Sequence, residues 1–580
     1  MNSFYKFFKF FIFVFIVTLM LSCSSRVSSQ SHSSVSSGVT ISSYDQQVVD
    51  NLYTLCKIWG FLKYYHPEIS MGKYDWDKEL FNIMPQIINV KSKVERVQVL
   101  ENWISGYGEV TSSGSMPDIS PDLVKMYPDL DWIEDHSKLG NLTGLLQKIK
   151  NAKRDTDTTY YVGFPYGSSP FFMNEKKYSN LSTLDTGYRL LALFRFWNVI
   201  QYYFPYKYLI ENNWDNVLRE FIPEFIDASG DKLAYKILVL KLVTRIEDSH
   251  SRIVTESPQL LPDIDIDAWE GKCMLPFEIT FIENKAVITD VYKTKIDETY
   301  PFLIGDVINS VNKETVEEFV NRKLEYTPAS HYAGKLKKIA DVLLRCNDEN
   351  MSIEYERNGK ISAGIFKTCQ REEVDVKNRT RKDLPAYTLL ENGIGYLCMG
   401  STRGESLPEN FGADVKGIII DLRSYPNSIK NYWEYFPLFP EPTPFVKFAK
   451  ASISYPGLYI LGPVTKTGKE NPNYYKGKKV ILINEYAQSH AEFMVMKYKV
   501  APNTTIIGNR TTGSDGNISI INLPAETLII FTGLGVYYPD GGETQRIGIQ
   551  PDIEVKPTIK GFREGRDELL EKAIEIIKQQ

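Results

Sequence analysis

The sequence predicts a multidomain α+β protein with a helical N-terminal domain built on an internal repeat, a β-rich middle domain and an α/β layered C-terminal core. Three observations predict it. An aromatic segment recurs 138 residues further on, short β-like runs crowd residues 270–372, and from residue 380 apolar strand-like runs alternate with helix-like ones. At 580 residues the chain is too long for one core, and its 43% hydrophobic and 24% charged residues are ordinary for a globular protein. The net charge of -5 and the lack of any Lys- or Arg-rich block argue against nucleic acid as a partner.

Residues 1–22 read as an export signal. Lys6 and Lys9 precede an apolar run from Phe10 to Leu21, too short to span a bilayer and suited to the centre of a signal. The run ends at Leu21-Ser22-Cys23, which resembles the bacterial lipobox. That resemblance implies lipidation of Cys23 and a lipid-anchored place in the bacterial cell envelope, at the outer membrane, with contact to the membrane through the anchor only. A plain secretory signal is the alternative. Residues 23–43 are rich in serine and read as a flexible tether. The other cysteines (Cys56, Cys273, Cys346, Cys369 and Cys398) are scattered without CxxC spacing, so buried free thiols are expected and no metal site.

The helical domain spans residues 44–255. Trp59, Tyr64, Tyr65, Pro67, Trp76, Asp77, Leu80 and Pro85 recur as Trp197, Tyr202, Tyr203, Pro205, Trp214, Asp215, Leu218 and Pro223. Apolar residues fall at three- and four-residue steps in both copies. Pro67 and Pro205 should break the first helix of each, and Asp75 and Asn213 should cap the second. The aromatic side chains either pack between helices or form a carbohydrate platform. Between the copies, roughly residues 112–185, an irregular connection with some strand (TTYYVGF) is expected, and AYKILVLKLVTRIEDSH reads as a helix running to His250.

In residues 270–372 the runs LPFEITFI, KAVITDVY, GDVINSVN and MSIEYER read as strands, with ETVEEFVNRKL a helix among them. Gly305-Asp306-Val307-Ile308 resembles the GDxI element of PDZ domains, which capture peptide C-termini by strand addition. A β-rich spacer that binds nothing is the plainer reading. In residues 380–580, YLCMGS, GIIIDLR and KVILINEY are buried-strand runs, and the third feeds directly into AQSHAEFMVMKYKV, a helix. TIIGNR is a further strand, followed by hairpin-like segments and a helix from about Gly565.

Ser489 follows a buried strand and opens a helix, where free N–H groups and the helix dipole favour an oxyanion; a simple N-cap serine would sit in the same place. Its surroundings carry a resemblance. NEYAQSHAE (484–492) resembles the SAxE nucleophile segment of the C-terminal-processing (tail-specific) and tricorn-core serine peptidases. VKGIIIDLRSYPN (415–427) resembles their DLR strand, IIGNRTTGSDG (506–516) their glycine-rich loop, and RIEDSHSRI (245–253) their DSH element. GIQPDIEVKPT and GRDELLEKAI match the closing strand and last helix. From Arg245 to Ile577 the chain is thereby identified as a member of that family, of the Bacteroides lipoprotein type, while the aromatic repeat lies outside the resemblance.

The resemblance implies a ClpP/crotonase-like peptidase core beside a PDZ-like domain. It also implies acyl transfer on a peptide or protein substrate without cofactor or metal, and Ser489 as nucleophile. One branch of the family places a lysine base 25 residues after the serine, where this chain has Ser514; Lys497 and Lys499 would point away from the helix start. The tricorn-like branch takes a histidine from the DSH element, so His250 is the expected base and Ser249 an added hydrogen-bonding member. His490 should diverge from its neighbour on the helix. That branch also uses a glutamate before the closing strand. Gln545 stands nearest to its place, and Glu543, two residues upstream on the same side of an extended strand, is expected to serve instead. Backbone N–H groups of His490 and of the turn after Arg423 should form the oxyanion hole; Pro426 cannot donate, which leaves Ser424 or Tyr425. Asp421 is expected to anchor its strand end. Two other readings stay open: an inactive peptide-binding lipoprotein of the same fold, and a glycan-binding surface protein using Trp59 and Trp197. No GxSxG, HExxH, P-loop or GxGxxG element is present.

Overall fold

The computed structural model describes residues 36–579, apart from 113–115, 117, 155–158, 165–168, 182, 258, 296–297, 377–383, 392, 402–414 and 427–436. The export signal, Cys23 and the tether up to residue 35 therefore lie outside the described residues, as does Asn427 of the DLR segment.

Helix α1 (Gln46–Tyr65) starts where the Asp45 side chain accepts from Val48 N–H. It stops one residue short of His66, which the following Pro67 biases toward extended backbone. Asp75 caps α2 (Trp76–Asn89) by accepting from Lys78 N–H. α3 (Thr186–Tyr203) and α4 (Trp214–Asp227) follow, the latter capped by Asn213. Trp59 and Trp76 exchange indole-to-carbonyl hydrogen bonds, both 3.0 Å. Trp197 and Trp214 do the same at 2.8 and 3.1 Å. Each indole thus buries its rings between helices while its N–H is satisfied. Trp59 is 0% and Trp197 1% exposed, so neither presents a face to a sugar, and the carbohydrate platform finds no surface here.

Two expected elements differ. The connection between the copies is not wholly irregular, since Leu142–Lys150 is a helix whose Leu142, Leu146 and Ile149 bury one stripe, while the TTYYVGF strand shrinks to Val162–Gly163. α5 (Lys232–Thr244) ends six residues before His250 rather than at it. Glu247 turns the chain at φ 51°, and Asp248 and Ser249 bond to groups outside the helix. β1 (Arg252–Val254) comes next.

The β-rich unit is an antiparallel sheet of β2 (Phe277–Ile282), β3 (Lys285–Val291), β4 (Val307–Val311), β5 (Asn350–Arg357) and β6 (Lys360–Lys367), in the order β6-β5-β4-β3-β2. α6 (Val316–Lys323) and α7 (Tyr332–Ala340) close over a core of Phe277, Ile279, Phe302, Ile308, Val320 and Ile339.

The C-terminal sheet contains β7 (Tyr387–Leu389), β8 (Ile394–Cys398), β9 (Gly417–Asp421), β10 (Lys478–Ile483) and β11 (Thr504–Gly508). After the hairpin of β12 (Ile518–Leu523) and β13 (Thr527–Thr532), β14 (Ile553–Glu554) completes it in the order β7-β8-β9-β10-β11-β14. All pairings from β8 onward are parallel, as Ile420↔Ile481 and Ile481↔Ile506 register. β8 and β9 are buried at every residue because α8 (His490–Lys499) covers one face of the sheet and α9 (Glu568–Lys578) the other. Parallel β9 and β10 end side by side, so the loops that follow them adjoin. β1 adds to the hairpin as β12-β13-β1, with Arg252 opposite Ile530. That pairing, carried two residues back, sets His250 against Thr532.

Candidate active site

The turn after β10 delivers Ser489 to the start of α8 with φ 56° and ψ -117°. A serine in this region of backbone space costs about 1–3 kcal/mol and persists only when its surroundings hold it. They do. Ser489 N–H donates to the Ser514 carbonyl at 3.0 Å and to Glu492 Oε2 at 3.1 Å. Glu492, fully enclosed, also accepts from Thr511 Oγ1 (2.5 Å), Gly513 N–H (2.8 Å) and Ser514 N–H (3.0 Å). One carboxylate, three residues after the serine, thus ties the helix start to the 511–514 loop, as a capping-box glutamate would, with added partners. Burial pushes the Glu492 carboxyl up, against those hydrogen bonds. Gly513 takes φ 71° where a Cβ would lie 3.0 Å from Arg546 and Gly548 backbone atoms, so the loop needs glycine there.

His250 sits on the other side of this loop. Its Nδ1 is 2.8 Å from both Ser514 Oγ and Thr532 Oγ1. Those two hydroxyls each donate to Asp248 Oδ1 at 2.8 Å. A hydroxyl has one proton to give, so toward Nδ1 both can only accept. Nδ1 therefore carries the imidazole proton and Nε2 the lone pair, the tautomer a base needs. Asp248 also receives Thr532 N–H (2.7 Å), Ser251 Oγ (3.2 Å) and Gln545 Nε2 (3.2 Å). Burial works against its charge, yet the attraction of His250 and these donors hold its carboxyl below the ordinary value. Burial brings the His250 imidazole down to about 4 against the pull of Asp248, with Arg252 and Lys338 pushing the same way as burial.

The geometry joins Ser489 and His250 through one residue, since Ser514 takes the Ser489 N–H on its carbonyl and meets the imidazole with its hydroxyl. Burial pushes the Tyr425 phenol up, and its ring lies 6.3 Å from that of His490. Tyr425 and Ser424 follow β9, whose end Asp421 anchors by accepting from Tyr396 OH (2.6 Å) and Arg423; Arg423 reaches on to Asp567. His490 opens α8, with its N–H in the first turn. Burial lowers its ring to about 4.

Two expected site residues stand apart from the imidazole contacts. Ser249 turns to the β-rich unit, where its Oγ accepts Ser330 N–H at 2.8 Å and its N–H donates to Ser330 Oγ at 3.0 Å. The Glu543 carboxylate pairs with Lys125 Nζ at 2.5 Å and takes Tyr208 OH at 3.1 Å. The carboxylate that supports His250 is Asp248, inside the DSH segment itself. Its relay through Ser514 and Thr532 escaped the sequence reading. The available signal was a neutral Gln545 where the family's glutamate would stand, with an acid placed two residues before the histidine.

Residues 404–555 match the model of Peptidase family S41. Among solved structures, mature CPAF is 13% identical with a TM-score of 0.51, covering 68% of this chain and 98% of its own. Mature CPAF complexed with lactacystin matches at 12% identity, a TM-score of 0.51 and the same coverage. The photosystem II D1 C-terminal processing protease is 15% identical over 64% of this chain and 93% of its own, at a TM-score of 0.35. No curated protein sequence matches. The CPAF likeness extends to the fold alone, whereas the family match spans β9, the Ser489 turn and the loop that Glu492 holds. Residues 404–555 thus form a domain similar to that of peptidase family S41, and the match supports a serine-type peptidase.

Proposed function

We propose that the chain is an active, exported peptidase in which His250 deprotonates Ser489. One observation carries this reading: both protons next to Nδ1 are committed to Asp248, which leaves Nε2 as an acceptor beside a loop that also holds Ser489. Ser489 Oγ gives its proton to Nε2 and attacks a peptide carbonyl; the resulting acyl-enzyme is later released by water. As the imidazole becomes cationic, its Nδ1–H bonds to Ser514 and Thr532 shorten the reach of the Asp248 charge, which offsets the new positive charge. The His490 N–H and the turn at Ser424 and Tyr425 meet the oxyanion. Contacts of this kind are commonly looser before substrate binds, so Ser489 Oγ and His250 Nε2 meet in the substrate complex.

The finer readings rest on the sequence. The Gly305–Ile308 element and the sheet-edge position of β2, against which α7 packs, support a PDZ-like unit that docks a peptide C-terminus. The two helix pairs, with their matched tryptophan exchanges, support a repeated helical unit. Cys23 supports a lipid-anchored location in the envelope.

A fluorophosphonate probe tests the central claim. Labelling should fall on Ser489, vanish in Ser489→Ala, and slow by about a hundredfold or more in His250→Ala. A wild-type chain that stays unlabelled points to the inactive peptide-binding reading, and one that labels equally fast without His250 has a different base.

A further inference from the structure

The backbone on either side of His250 belongs to no regular element, and its carbonyls need partners of their own. Cations supply them. Arg252 Nη1 donates to the His250 carbonyl at 3.3 Å. Lys338 Nζ donates to the Ser249 carbonyl at 3.0 Å and the Ser251 carbonyl at 3.3 Å, and its third bond goes to Pro328 O at 2.5 Å. Lys338 comes from α7, so a residue of the β-rich unit grips the strand-side and helix-side flanks of the catalytic loop at once. An ammonium has three donors, and all three are spent on carbonyls. The charges facing it are Arg252 and Lys337, which disfavour its own, and Asp248 and Asp341, which favour it. Burial brings it down to about 7.

We propose that Lys338 is a positioning residue for the catalytic base, holding His250 at the Ser514–Thr532 pair by pinning the carbonyls before and after it. It touches no reacting atom. Its charge has a second effect, because it stands close enough to His250 to favour the neutral imidazole. The β-rich unit is thereby part of the catalytic apparatus rather than an appendage. The inference rests on His250 being the base.

The test compares Lys338→Met and Lys338→Arg in the full chain, by probe labelling rate and by peptide turnover where a substrate is in hand. Thermal unfolding is followed so that rates refer to folded protein. Lys338→Met should slow labelling about ten- to a hundredfold, with KM little changed, and should move the acid limb of the rate to higher pH. Lys338→Arg should recover most of the rate and keep the wild-type limb. The decisive arm is the His250→Ala background, where Lys338→Met should cost nothing more, because a residue acting through the imidazole has nothing left to act on. An equal loss in both backgrounds, or a Lys338→Met protein that labels at the wild-type rate, overturns the proposal. If His250→Ala alone labels like wild type, the assignment of the base has failed instead.

Discussion

Two regions of this protein bury charge in opposite ways. Between the helix pairs, Lys63 meets Glu175 at 2.6 Å, and Arg195 meets Glu175 at 2.9 Å and Asp77 at 2.8 Å. Two cations and two carboxylates cancel in an enclosure where Lys63, Arg195 and Glu175 side chains are at most 1% exposed. Around Asp248 the hydrogen-bonding groups are neutral: two hydroxyls that donate to it and accept from His250, a serine, an amide and a backbone N–H. A charge that has only to be tolerated is matched by a fixed opposite charge. In the proposed mechanism the second charge is held by dipoles, which leaves room for a compensating cation when the imidazole takes a proton.

Breaking the second region should cost the most. Asp248→Asn replaces an acceptor that organises two hydroxyls with a group that can also donate. Ser514 or Thr532 can then direct its proton at Nδ1, and the imidazole shifts to the tautomer whose Nε2 is protonated. Turnover should fall about a thousand- to ten-thousandfold with the fold retained, as read by kcat beside circular dichroism. Loss of stability without that fall would mean Asp248 is a structural anchor only.

The first region should fail differently. Arg195→Met leaves Glu175 and Asp77 buried without their shared partner, together with the carbonyls of Lys176 and Asn522. About 3–5 kcal/mol of stability should be lost in denaturant unfolding, while the probe labelling rate per folded molecule stays near wild type. A rate that falls with the same mutation would show that the helical region acts on the site.

Much of this division was legible in the sequence. The buried strands leading to Ser489, the DSH segment and the paired tryptophans stand in consecutive residues, and local pattern is what a sequence displays well. Glu492 was visible too, three places after Ser489. The relay was not, because it gathers residues 248, 250, 514, 532 and 545 from four segments whose meeting depends on β1 joining β13. Polar residues such as Thr532 carry no periodic signature, and in an apolar strand run a threonine reads as ordinary β-propensity. The same cause hides the surroundings of Glu543: a same-side argument along one strand says nothing of Lys125, more than 400 residues earlier.

His66 sharpens the contrast at smaller scale. Both of its ring nitrogens are buried without a partner, and burial brings it down to about 4. The second copy has Phe204 at this position. Between about pH 4 and 6.5 the unfolded chain binds a proton here that the folded chain refuses, so stability falls as pH drops through that window. His250, His331 and His490 add to the same slope, all brought down to about 4. His66→Phe should raise stability by about 1–2 kcal/mol and flatten part of the slope in unfolding scans at pH 5 and 7. An unchanged slope would mean His66 finds a partner in solution.

The smallest effect expected is the one that separates the two candidate carboxylates. Glu543 is partly exposed, and its carboxyl is held below the ordinary value because Lys125 and Tyr208 outweigh the cost of its burial. A pair so placed contributes about 0–1 kcal/mol. Lys125 also lies over the Tyr537 ring, 4.6 Å from its centre, which keeps the lysine in place when the carboxylate is neutralised. Glu543→Gln should therefore shift stability by less than about 1 kcal/mol and leave kcat within about twofold. The comparison with Asp248→Asn needs only one assay on two isosteric amides. A loss of turnover in Glu543→Gln to match that of Asp248→Asn would require the hairpin at 537–543 to swing its acid to the imidazole during catalysis, and would replace a fixed relay with a mobile one.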